Sequence, residues 1–206
     1  MIPLKTVERL LIMSMLDIAV FVISVIGIFL EMLQKPLFWL MYIIASVLLG
    51  YEFIDTKLYG SALLQVIYVV LSIYGWYKWT HRDAKQKLET ICHTQAMQWL
   101  HYTIATCIIG LICYYILKYT GDSDYLVDAI LTAICITATY MAALKQIESW
   151  FVFAATVVIS VPLYYRDHLY FTSLTYLIFG ILDLSGGVKW LLDYKSLVKN
   201  LKVKRP

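Results

Sequence analysis

Charge is scarce in this chain of 206 residues, with charged side chains making up 15% and the formal net charge only +3. That balance excludes a disordered segment and a strongly basic nucleic-acid binder, both of which need far more charge. Glycine and proline number only 9 and 4, too few for collagen-like or low-complexity repeats. Cys92, Cys107, Cys113 and Cys135 have no CxxC spacing, and His81, His93, His101 and His168 are scattered, so neither a disulfide framework nor a metal site is expected. No GxxxxGK[ST] loop exists to couple the chain to ATP.

What fills the sequence instead is apolar, at 61% of residues and a mean hydropathy of +0.73. A helix needs about 20 such residues to cross about 30 Å of hydrocarbon, with every peptide group bonded internally. Seven stretches qualify, near 10–30, 36–54, 59–79, 99–119, 126–144, 147–164 and 170–192. The first is too long for a cleaved leader and is interrupted by Asp17, so it reads as a permanent span. The fold class is an all-α integral membrane protein with seven transmembrane helices.

Orientation follows from Lys and Arg. Five of the 17, Lys5, Arg9, Lys57, Lys118 and Arg166, fall on the amino-terminal side of the membrane, and twelve on the other. Positive charge stays cytoplasmic, which predicts an outside amino terminus and a cytoplasmic carboxyl terminus.

Sliding the sequence along itself until Asp17 lies on Asp128 also superposes Trp39 on Trp150, Tyr59 on Tyr170, Gly75 on Gly186, Lys78 on Lys189 and Trp79 on Trp190, without a gap. Helices one to three thereby map onto five to seven. The expected organisation is a first three-helix bundle over 1–80, a cytoplasmic loop and inversion-linker helix over 81–123, and a second bundle with a basic tail over 124–206. This is a 3+1+3 parallel repeat, whose substrate site is expected near mid-membrane between the halves. Duplication of this kind points to transport.

Ionisable groups within spans are costly and tend to face a cavity or a partner. Asp183, in the middle of the seventh span, is the leading cavity candidate, because its counterpart Ser72 is also polar. Asp17 and Asp128 admit either a repeated structural hydrogen bond or a substrate role, and Glu52 reads as interfacial. Gln65, Tyr68, Ser72 and Trp76 recur at helical spacing and share a face, suited either to helix–helix hydrogen bonding or to a flat cation held by stacking and cation–π contact. Trp79, Trp99, Tyr119 and Trp190, at span ends, read as an interfacial belt. A membrane hydrolase using Asp17 and Asp128 is disfavoured, since the repeat sets them in separate bundles and no nucleophile motif accompanies them. The expectation is a non-enzyme with no catalytic residue and no cofactor.

The segments Leu58-Tyr-Gly-Ser-Ala-Leu-Leu-Gln65, Leu71-Ser-Ile-Tyr-Gly-Trp-Tyr-Lys-Trp79, Lys145-Gln-Ile-Glu-Ser-Trp150 and Ile159-Ser-Val-Pro-Leu-Tyr164 resemble the signature of PnuC-type vitamin transporters. The resemblance runs from the first helix to Trp190. It implies a SWEET-like seven-helix fold, a homotrimer in the lipid bilayer, and facilitated diffusion of a small vitamin that a cytoplasmic kinase then traps. Nicotinamide riboside members of that family carry a Trp-x-x-Trp in helix six, an Asn or Asp four residues on, and a Gln in helix five. Here Trp150 is followed by Phe153 and Val157, and Thr139 stands in helix five. Fewer groups are then left to read ribose hydroxyls. Thiamine, a cation with two rings and one hydroxyl, is therefore the expected vitamin, with nicotinamide riboside as the alternative. The expected walls are Trp39, Trp150 and Phe153, and Gln65, Tyr68, Ser72, Asp128, Thr139 and Asp183 are the expected polar or charged contacts.

Overall fold

The computed structural model describes residues 4–81, 91–120, 124–166, 168 and 170–203, with side chains described between Met15 and Asn200. Seven helices follow one another: α1 (Leu4–Met32), α2 (Leu37–Asp55), α3 (Tyr59–Thr80), α4 (Ala96–Thr120), α5 (Tyr125–Ala143), α6 (Glu148–Arg166) and α7 (Tyr170–Val203). All seven are long and apolar enough to cross a membrane. The seventh continues well past the expected end at 192, its polar extension carrying a Lys189–Asp193 pair at 2.7 Å. Arg82, Lys85 and Lys87 of the long connection and Lys204 and Arg205 of the tail lie outside the described residues, as do the side chains of Lys5, Arg9 and Lys202.

Packing closes six of the helices into a ring. Contacts run from α1 to α2, α2 to α3, α3 to α5, α5 to α6, α6 to α7 and α7 back to α1, while α4 lies outside against α5 and, less extensively, α3. The outer surface stays apolar, as lipid-facing helices require: Leu100, Ile104, Ile108, Leu111 and Ile112 of α4 are all exposed.

Local geometry recurs at the offset that carries Asp17 onto Asp128. The ends of α1 and α5, both ends of α2 and α6, and the starts of α3 and α7 coincide under it. Among the described residues, the four non-glycine positions with positive φ form two such pairs: Gln34 (56°) with Lys145 (57°), and Lys57 (64°) with His168 (60°). Gln34 and Lys145 end their helices in the same way. Their N–H groups donate to Glu31 O and Ala142 O at 2.8 and 2.9 Å, and those of Lys35 and Gln146 donate to Leu30 O and Met141 O.

A tryptophan cluster plugs the ring at the end where α1 meets α2 and α5 meets α6. Trp39 presses on Gly75 and Trp150 on Gly186, so closely that a Cβ on either glycine would overlap the indole. Trp39 meets Trp79 edge-on at 5.7 Å, and Trp150 meets Trp190 at 5.4 Å. Trp79 and Trp190 then approach each other at 6.2 Å. Their indole N–H groups cross to the opposite triplet, to Ala142 O (3.2 Å) and Met32 O (3.3 Å) respectively. The interfacial-belt expectation is thus corrected for these two: Trp79 is 6% and Trp190 0% exposed, because each has a buried carbonyl to satisfy its N–H. Trp99 and Tyr119 are exposed, as expected.

The connection after α3 is tied to the start of α6. Cys92 N donates to Lys145 O and Ile147 N to Cys92 O, while Glu148 accepts from His93 Nδ1 at 2.7 Å and from both the N–H and the hydroxyl of Thr94 at 2.9 Å. The linker is thereby held to the second triplet.

Gly75→Ala and Gly186→Ala each force an indole out of the plug, an overpacking cost of about 1–3 kcal/mol. Each is expected to lower the melting temperature of the purified protein in detergent; unchanged melting in both would show that the clamp is slack.

Candidate functional site

Behind the tryptophan plug lies a cavity of about 260 Å³, to which all six ring helices contribute and α4 does not. Twelve of its sixteen lining residues fall into six pairs related by the repeat: Ser24 with Cys135, Tyr42 with Phe153, Ala45 with Thr156, Ser46 with Val157, Gln65 with Tyr176 and Tyr68 with Phe179. The cavity therefore lies between α1–α3 and α5–α7, equivalent helices facing it in equivalent ways. Ile28, Glu31, Leu49 and Asp183 are the unpaired remainder.

A second cavity of about 490 Å³ continues away from the plug. Gln65, Tyr68, Cys135, Thr156 and Tyr176 line both, forming a girdle between an inner chamber beside the plug and an outer one. Asp128, Ser61, Thr132 and Ser160 give the outer chamber its polar character, and Tyr164 of its wall stacks on Tyr176 of the girdle at 5.0 Å. Together the chambers span much of the ring from one end to the plug.

The polarity of the inner chamber is concentrated in two carboxylates. Glu31, in the last turn of α1, is 7% exposed, and Asp183, in α7, is 9% exposed. Among the described residues, no Lys, Arg or His lines either chamber. Aromatic surfaces surround them: Tyr42, Tyr68, Phe153, Tyr176 and Phe179. The arrangement can hold a flat cation by charge and by π-faces.

Of the residues expected from the sequence, Gln65, Tyr68, Phe153 and Asp183 meet in the inner chamber, and Asp128 lies in the outer one. Trp39 and Trp150 instead belong to the plug, at 0% and 1% exposure, with indole N–H groups that find no partner among the described residues. Ser72 donates to Tyr68 O at 2.7 Å and Thr139 to Cys135 O at 2.8 Å, so both hydroxyls are spent on their own helices. Asp17 lies exposed on α1 and shares no cavity with Asp128.

Glu31 escapes the sequence reading because it falls just beyond the first apolar run. An acid in the last turn of a helix opposes the helix dipole, and that unfavourable position is the available signal. Tyr42, Cys135 and Tyr176 carry no such mark.

Residues 14–192 match the family described as nicotinamide mononucleotide transporter. The chain belongs to this family. Among its relatives, the nicotinamide riboside transporter PnuC of Escherichia coli (strain K12) is 25% identical over 174 residues, covering 70% of this chain and 71% of that protein. The riboflavin/roseoflavin transporter RibM of Streptomyces davaonensis is 29% identical over 137 residues, covering 64% and 63%. The fold is similar to that in the crystal structure of the vitamin B3 transporter PnuC, with a TM-score of 0.67 at 19% identity over 91% of this chain and 83% of that one. As a member of the family, the chain is a multi-pass membrane transporter and not an enzyme.

Trp150 and Phe153, one helical turn apart on α6, separate plug from chamber. Trp150→Ala leaves a large void and is expected to cost about 3–5 kcal/mol of stability. Phe153→Ala is expected to lower melting less while weakening vitamin binding about tenfold; tryptophan-fluorescence titration and a thermal melt on both variants check the contrast.

Proposed function

We propose that the chain carries a water-soluble, positively charged ring vitamin into a bacterial cell by facilitated diffusion with alternating access. One observation carries this reading: two buried carboxylates share an aromatic-lined chamber that no basic residue lines. Buried charge needs an opposite charge, and a cationic vitamin supplies it. Nicotinamide riboside takes first place. It is a flat cation, and Ser24, Ser46 and Gln65 offer partners for its ribose hydroxyls in the chamber. Thiamine, the choice suggested by Val157 and Thr139, takes second place: it too is a cation, but neither relative above is named for it, and Thr139 faces its own helix rather than the ligand. Riboflavin is neutral and would leave both carboxylates uncompensated.

The proposed architecture is a SWEET-like 3+1+3 parallel repeat, with bundles over 1–80 and 124–206 and α4 within the linker over 81–123. It is supported by the shared helix ends, the paired turns and the six lining pairs at one offset. Rocking of the triplets would open the plugged end. With the amino terminus outside and the carboxyl terminus cytoplasmic, as the Lys and Arg count favours, the plug closes the cytoplasmic end and the outer chamber leads outward. A homotrimer in the inner membrane, and trapping of the vitamin by a cytoplasmic kinase, complete the proposal on the strength of the family resemblance.

Proteoliposomes exposed to labelled nicotinamide riboside, thiamine and riboflavin test the reading. Uptake of nicotinamide riboside above that of protein-free liposomes, reduced about tenfold or more by Asp183→Asn, is expected. Uptake no faster than in protein-free liposomes for every vitamin overturns it, and preference for riboflavin removes the cation argument.

A further inference from the structure

The inner chamber is nearly symmetric in its lining and asymmetric in its charge. The repeat places Ala142 opposite Glu31 and Ser72 opposite Asp183, so both carboxylates stand on the side where α1 meets α7. Each is more than nine-tenths buried and lines the same small chamber. Neither side chain makes a hydrogen bond or an ion pair among the described residues.

Two negative charges confined together away from bulk water repel each other, and a proton bound to one of them relieves that repulsion. An arriving cation relieves it equally well. We infer that the Glu31–Asp183 pair holds one proton when no vitamin is bound and gives it up when a cationic vitamin enters the chamber. This rests on the reading of the chamber as a vitamin site.

The charge balances. One carboxylic acid and one carboxylate carry a net charge of −1; two carboxylates and a monocation carry the same. The proton leaves to water, and no bond within the vitamin changes. Because the site keeps its charge, the loaded and unloaded carriers cross between states at equal electrostatic cost.

Other titratable groups facing the pair are Tyr42 from α2, Tyr68 from α3, Cys135 from α5 and Tyr176 from α7, whereas α6 presents only Phe153, Thr156 and Val157. In water, thiols and phenols lose protons only near about pH 8.5 and 10, leaving the carboxyl pair as the group that changes below those values. Lys189, farther along α7, is engaged with Asp193 at 2.7 Å. Release of one proton on binding makes affinity rise about tenfold per pH unit while the pair is protonated and level off once it is ionised.

Titration calorimetry of the purified full chain with nicotinamide riboside and with thiamine, in two buffers of different ionisation enthalpy, reads the proton directly. About one proton released per vitamin bound is expected. Glu31→Gln and Asp183→Asn are each expected to abolish the release and flatten the pH slope, and either variant suffices if the other fails to fold. Binding without proton release, at an affinity independent of pH, overturns the inference and leaves the vitamin reading intact. Release that persists in the variants also overturns it. Failure of both vitamins to bind removes the vitamin reading and this inference with it.

Discussion

Two indoles seated on two glycines hold one end of the helical ring shut, and the rest of the molecule is arranged around that contact. Trp39 on Gly75 ties α2 to α3, and Trp150 on Gly186 ties α6 to α7. Only a residue without Cβ lets the ring approach the backbone so closely. Trp79 and Trp190 then stitch the triplets together, since each indole N–H donates to a carbonyl at a helix end of the opposite triplet. A dry, close-packed plug of this kind is a floor on which a chamber can stand.

Above the plug, near-symmetry and its local violation divide the work. The paired positions supply shape: aromatic walls, small hydroxyls and a girdle shared by the two chambers. Glu31 and Asp183 supply charge on one side only, which orients a polar ligand where a symmetric ring of side chains could not. Packing recurs at the shared offset, while Glu31 and Asp183, standing opposite Ala142 and Ser72, add charge that is not repeated.

Contact between neighbouring helices is uneven around the ring. The tight contacts run from α2 to α3 and from α6 to α7, while the joints from α3 to α5 and from α7 to α1 are less extensive. Glu148, bonded to His93 and Thr94, fastens the linker to the second triplet. Of these two lesser joints, the one between α7 and α1 carries the carboxylate pair.

Much of this was legible in the chain itself. Hydrocarbon admits only internally bonded backbone, so apolar length alone determined seven helices, and their ends fall within a few residues of the apolar runs except where polar, helix-forming sequence extends α1 and α7. The repeat offset likewise stands in the sequence, because like residues keep like roles in a duplicated scaffold. Gln65, Tyr68 and Asp183 could be picked out as polar or aromatic groups where lipid would not tolerate waste, and Phe153 by the family resemblance. What only the tertiary structure decided is which way each side chain is spent. Trp39, Trp150, Trp79 and Trp190 look alike to any sequence scale whether they face ligand, lipid or one another; a glycine one helix away draws the first two into the plug. Ser72 and Thr139 bond their own helices, an option always open to a hydroxyl in a span, and Glu31 becomes a chamber residue only because α1 ends against α7. Burial partners are set by packing between helices distant in the chain, and that is information no single stretch of sequence holds.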